Sequence, residues 1–234
     1  MQEFTAKIKQ MLLLNECSGD TDLIYKFSDA DGVRTGRSGY SYGISQFDIE
    51  NNWEAILTLQ DCGFQPKDLK RLYLQNGDIS DLNLILEASA DYIDEADDRH
   101  IADMIRHCNV FNAIDDDLTV AMIIDYHNQL RLESSADYVD EADDRLIADM
   151  IKHCNIFNAI DDDLTLAMII DYHNQLRFDI GGKLHRYLVG KLVDGREINA
   201  NTIYQFKLKH TLWGQKRPDD VERRYKNTLE VFCG

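Results

Sequence analysis

Glu16 stands where an apolar helical stripe stops. Two effects raise a carboxyl pKa at such a place: the negative end of the helix dipole, and packing against Leu12, Leu13 and the segment that follows. A carboxylic acid kept protonated near neutral pH can give its proton to a glycosidic oxygen. The segment YKFSDADGVRTGRSGYSYGISQFD, residues 25–48, offers complementary groups. It carries Asp29, Asp31 and Asp48, and hydroxyls at Thr35, Ser38 and Ser41. Gln46 can hydrogen-bond a sugar or an N-acetyl group. A glycosidase needs an acid on one side of the scissile bond and a carboxylate or positioned water on the other. Glu16 is therefore the candidate general acid. Asp29, with Thr35 nearby, is the candidate to hold water or stabilise positive charge at the anomeric carbon. Ser41, Tyr42 and Gln46 are candidates to line the groove. Simpler roles compete: Asp29 and Asp31 are also good turn formers, Asp48 is also a helix cap, and Tyr40 and Tyr42 also suit a core.

The elements that must position these groups follow from periodicity. Residues 2–15 form an amphipathic helix with Phe4, Ile8, Met11 and Leu12 on one stripe, and Gly19 stops it. The Gly-, Ser- and Tyr-rich stretch 19–49 predicts a small β-lobe with tight turns. Helical patterns resume at 50–62 and 66–76. After a break at Gly181–Gly182, further helices are expected over HRYLVGKLV, 199–213 and 219–231. The expected architecture is α+β and mostly helical: one domain, with helix 1–18, the β-lobe at 19–49 and a helical lobe at 50–234.

The helical lobe contains a tandem duplication. Residues 86–131 and 132–177 are two copies of 46 residues that differ at six positions. Five differences are conservative: Ala88/Ser134, Ile93/Val139, Arg106/Lys152, Val110/Ile156 and Val120/Leu166. The sixth is His100/Leu146. A solenoid needs about three or more units, so the pair reads as a duplication inside a parent that held one copy. Each copy predicts two helices. The first opens near Ser89 and Asp91, and its stripe runs Ile93, Ala96, Ile101, Met104, Ile105, Cys108. The second is capped by Asp115–Asp117. The acidic run of the first helix reads as a solvated face. A compact parent has room for one such pair, so the surplus must bulge out, extend a helix or swap between chains as a homodimer.

The chain has 234 residues and a net charge of −17, of which each copy contributes −8. That balance disfavours a nucleic acid partner, since phosphate wants a basic face. No apolar run approaches the roughly 18 residues of a membrane helix. Five unevenly spaced Cys argue against a disulfide framework. The paired His–Cys neighbours lack metal-ligand spacing, and no nucleotide or G-x-S-x-G motif is present, so neither metal nor cofactor is expected. The N-terminus lacks a secretory h-region, so synthesis in the cytoplasm is expected, with action on the cell wall after release or secretion.

Asn15-Glu16-x-Ser18-Gly19, followed by Leu23-Ile24-Tyr25-Lys26-x-x-Asp29-x-Asp31-Gly32-Val33-x-Thr35, resembles the opening of the phage-type lysozymes. Here the interval from Glu to Asp is four residues longer. Ser41-Tyr42-Gly43-Ile44-Ser45-Gln46 resembles the G-x-x-Q element of soluble lytic transglycosylases and goose-type lysozymes. The twin Asp-Tyr-His-Asn segments at 125–128 and 171–174 loosely resemble the A-Y-N element of the same transglycosylases, which implies substrate contacts for Tyr172 and Asn174. The resemblance is thus to the lysozyme-like superfamily, above all to endolysins. It implies a cofactor-free muramidase acting on peptidoglycan or a related amino-sugar polymer. The alternatives are a lytic transglycosylase, a chitosanase-like glycosidase drawn to a cationic polymer by the chain's acidity, and a non-enzymatic module that binds through the acidic hairpins.

Overall fold

A computed structural model describes residues 2–29, 39–75, 77–109, 160, 162–178 and 182–234. The chain divides into two units, Met1–Asp103 together with Gly234, and Met104–Cys233. The described residues are mostly helical, with one small antiparallel sheet, as expected of an α+β chain.

The first unit opens with α1, Gln2–Glu16, which buries Ile8, Met11, Leu12 and Asn15 along one stripe. Two left-handed residues, Ser18 (φ 55°) and Gly19 (φ 80°), turn the chain back, and the N–H of Gly19 reaches the carbonyl of Leu13 at 3.0 Å. Glycine suits that conformation because it carries no Cβ to clash. The sheet has three strands in sequence order: β1, Ser28–Asp29; β2, Tyr40–Tyr42; and β3, Phe47–Asp48. Ser28 pairs with Ser41, Asp29 with Tyr40, and Tyr42 with Phe47.

Strands this short are not stable alone. An aromatic cluster holds them: the Phe27 ring meets Tyr42 and Phe64 edge-on at 5.8 Å each, and Tyr42 meets Phe47 at 5.7 Å. Tyr42 is fully buried, and its hydroxyl donates to the carbonyl of Ala55 at 2.6 Å.

Three short helices complete the cover. Asn52 caps α2, Trp53–Asp61, by accepting from the N–H of Glu54. Pro66 opens α3, Pro66–Tyr73, where its missing N–H costs nothing. Arg71 grips Asp81 with two bonds of 2.7 and 2.9 Å, fastening α3 to α4, Ser80–Ala88. Then α5, Ala90–Asn109, runs out of this unit into the second. Its buried apolar residues are the expected stripe, Ile93, Ala96, Ile101, Met104, Ile105 and Cys108, and Asp97 is buried with them.

The second unit is built around α6, Asp163–Leu176, whose residues from Thr165 to Tyr172 are all buried. A helix apolar on every side is a central helix, and α8 and α10 pack against it. Asp162 caps it, accepting from the N–H and the hydroxyl of Thr165 at 2.7 and 2.6 Å. The others are α7, Lys183–Val193; α8, Ala200–His210; α9, Leu212–Lys216; and α10, Pro218–Cys233. At Gly214 a Cβ would lie 2.0 Å from the carbonyl oxygen of Lys207, so only glycine lets α9 pack against α8.

Three charged side chains, Asp171, Lys207 and Arg224, are buried in that core. Asp171 is fully buried and bonds both Lys207 and Arg224, the latter at 2.6 Å. Burial pushes its carboxyl up, but the Arg224 and Lys207 cations pull it well below the ordinary carboxylate range. The Trp213 ring covers both cations, at 5.1 Å from Lys207 and 5.6 Å from Arg224.

Among the described residues, each copy contributes one helix. The first helix of the first copy is α5, and the second helix of the second copy is α6. Within the second unit they meet where His107 approaches His173 at 4.7 Å and its Nε2 lies 2.9 Å from the carbonyl oxygen of Phe178. Residues 110–159, where the other expected helix of each copy falls, lie outside the described residues.

Candidate functional site

Glu16 is the last residue of α1 and is half-buried. Its neighbour Cys17 is buried, and Gln46 Nε2 lies 3.7 Å from the Cys17 sulfur. The end of α1 is thereby tied to the Gly43–Gln46 turn between β2 and β3. Gln46 adopts a left-handed φ of 53°. Its Nε2 also donates to the Gly43 carbonyl at 3.0 Å, and its Oε1 accepts from the Ser28 hydroxyl at 2.6 Å. The side chain expected to meet a sugar thus braces the turn beside Cys17.

A second carboxylate holds the same turn. Asp97, on α5, is 1% exposed and accepts from the N–H groups of Ile44 and Ser45 at 2.8 and 3.2 Å. A Cβ on Gly43 would come within 2.9 Å of its Oδ2, so the turn needs glycine to close on this carboxylate. Burial raises the Asp97 carboxyl to about 6, against the pull of the two amides. Burial also pushes the Cys17 thiol up to about 11, and the charges of Glu16 and Asp97 add to the effect. Glu16 and Asp97 therefore act electrostatically on one buried sulfur.

Asp97 was hidden in the acidic run that reads as a solvated face. The rest of that reading holds around it: Asp91, Asp94, Glu95 and Asp98 are all exposed. The signal for Asp97 was its spacing, since Ile93, Asp97, Ile101 and Met104 fall on a single helical stripe.

The other expected site residues divide. Asp29 lies in β1, opposite Tyr40, at one edge of the sheet. Asp31 and Thr35 lie outside the described residues. Ser41 is buried within β2, and Tyr42 belongs to the aromatic core, so neither presents its side chain to an open groove. Asp48 accepts from the N–H groups of Gly39 and Glu50, both at 2.9 Å, and from the Asn51 amide at 2.7 Å. It braces the chain before α2, while Asn52 does the capping. Tyr172 and Asn174 belong to α6 in the second unit, where Tyr172 is buried with its ring 5.8 Å from Phe206.

The first unit also has a cleft of about 270 Å³. Phe47, Leu57 and Ala96 form its apolar lining, and Glu54, Asp61, Arg99, His100 and Asp103 its polar lining. The His100 ring meets Phe47 edge-on at 5.1 Å. His100 is the one non-conservative difference between the copies, and the first copy's version is the one seated here. Three carboxylates against one guanidinium give the cleft an acidic balance. Among the described residues, no three His, Cys, Asp or Glu side chains gather as a metal site, and no helix is long and apolar enough to cross a membrane.

Compared with known proteins, the chain matches no family model, no curated protein and no solved structure.

Proposed function

We propose that the first unit is a lysozyme-like glycosidase with Glu16 as general acid. The observation that supports this reading is the placement of Glu16 at the end of α1, tied through Cys17 and Gln46 to the turn of a three-stranded sheet. Helix, small sheet, then helices is also the order that the resemblance to phage-type lysozymes implies. In this reading Glu16 protonates the glycosidic oxygen as the bond breaks, and Asp29 at the sheet edge orients water or steadies the oxocarbenium charge. Asp97 and Gln46 hold the turn that forms the opposite wall.

The substrate is a β-linked amino-sugar polymer, with peptidoglycan the first candidate. A second candidate is a polymer of free glucosamine, whose ammonium groups the chain's net charge of −17 and the acidic cleft at Glu54, Asp61 and Asp103, which Glu16 does not line, would attract. In either case the enzyme meets its polymer outside the cell after release or secretion. A homodimer through the surplus repeat helices belongs to the same reading.

Glu16→Gln keeps the shape and removes the acid. Turnover of purified cell walls or of chitosan is expected to fall on the order of a hundredfold to ten-thousandfold, with an unchanged melting temperature. A variant that cleaves as fast as the parent ends the assignment. Mass spectrometry of the products sorts the chemistry: reducing ends mark a hydrolase, anhydro ends a lytic transglycosylase.

A further inference from the structure

The seat that α6 fills can be filled by a second segment of the same chain. Residues 117–130, outside the described part, read DLTVAMIIDYHNQL, while α6 reads DLTLAMIIDYHNQL. Each polar hold on α6 has a counterpart there. Asp171, which bonds Lys207 and Arg224, corresponds to Asp125. The capping pair Asp162 and Thr165 corresponds to Asp116 and Thr119, and Tyr172, which packs on Phe206, corresponds to Tyr126. We propose that residues 117–130 and 163–176 are alternative occupants of this seat, so that the second unit exchanges one repeat helix for the other without changing its fold.

The connections allow the exchange. The end of α5 lies beside the last turn of α6, at the His107–His173 contact. From His173 back to Asp163 the helix axis runs about 15 Å. Residues 110–116 span up to about 25 Å when extended, so they reach the start of the seat. At the other end, Arg177 is exposed and follows the last turn of α6. A 46-residue segment, 132–177, can leave the fold there before the chain returns at Phe178. Closing a longer loop costs little, because the cost grows only with the logarithm of length.

What selects the observed occupant is one methylene. Leu166 is 8% exposed, and Val120 stands in its place in the other segment. The same preference holds at α5, where Ile93 is fully buried and the other copy offers Val139. Each seat holds the bulkier of its two candidates. One buried methylene biases the choice by roughly fivefold to tenfold, small enough for a point substitution to reverse it.

Hydrogen exchange read by mass spectrometry tests this on the full chain, because peptides that run past the two helices stay distinct in every variant, with Leu132 after the one and Phe178 after the other. In the parent, amide protection is expected on 163–176. In Asp171→Asn, protection is expected to move to 117–130, and denaturation is expected to show a folding constant reduced less than about tenfold. Asp125→Asn alone should change neither readout. The double variant has no intact occupant and is expected to lose on the order of a hundredfold or more, since both cations stay buried without their carboxylate. Leu166→Val, which leaves the ion pairs intact, should protect the two peptides about equally. The proposal is overturned if Asp171→Asn is as unstable as the double variant, or if Leu166→Val leaves protection on 163–176 alone. It is likewise overturned if the transfer depends on protein concentration, which would assign the second occupant to another chain.

Discussion

Two buried aspartates carry opposite pH signatures. The fold raises the Asp97 carboxyl from 3.8 to about 6, so it favours the protonated form. That contribution is complete below about pH 3.8 and is lost as the pH rises through 6, at most about 3 kcal/mol. Asp97→Asn imitates the neutral acid. Its stability relative to the parent, measured by urea unfolding, should therefore climb between pH 4 and pH 7. A constant difference across that range would place the carboxyl in water. For Asp171 the fold favours the charged form, so its contribution is present above the ordinary carboxylate range and disappears as acid protonates it. Acidification should relieve the first unit at Asp97 while it breaks the ion pairs at the heart of the second. Near-ultraviolet circular dichroism of Trp213, which covers those ion pairs, read in a Trp53→Phe chain, should report the second event alone, well below about pH 4.

At the scale of the element, helices with a plain apolar period were legible from the residues. The stripes of α1 and α5, the stop at Gly19 and the helix start at Gly182 emerged where spacing put them. The sheet region was legible as a region, but its strands are two or three residues long and owe their pairing to Phe27, Tyr42 and Phe64, which are distant in sequence. Local pattern carries no such information. The same limit hid α4 and α9, which are five to nine residues long and depend on Arg71–Asp81 and on the Gly214 approach. Of the candidate site, Glu16 was legible from the end of its helix. The role of Gln46 was not, because its partners Ser28, Gly43 and Cys17 come from three separate segments. Gly214→Ala tests one of these long-range constraints. The methyl has no room against the Lys207 carbonyl, so a loss of about 3 kcal/mol or more is expected in calorimetry. An unchanged melting temperature would mean that α9 can move away freely.

For the whole molecule, α5 and α6 come from complementary halves of the repeat and together amount to about one repeat length. Removing residues 110–155 joins Asn109 to Ile156, preserves α5 and α6, and brings the net charge from −17 to −9. The shortened chain should fold with equal stability or gain up to about 2 kcal/mol from the shorter link between the helices. Scanning calorimetry and the glycan-cleavage assay on this chain check it together, and failure to fold would show that the second repeat length is structural. If cleavage survives, the surplus residues lie outside the chemistry.

The mixed origin of α5 and α6 has a genetic corollary. Two nearly identical stretches invite recombination, and a crossover between them removes one repeat in frame. A crossover between codons 101–119 and their counterparts at 147–165 leaves Ile93, His100 and Leu166 in one shortened reading frame. The gene can therefore contract in a single event to a product that already holds the better-fitting side chain at both places, with no further adaptation required.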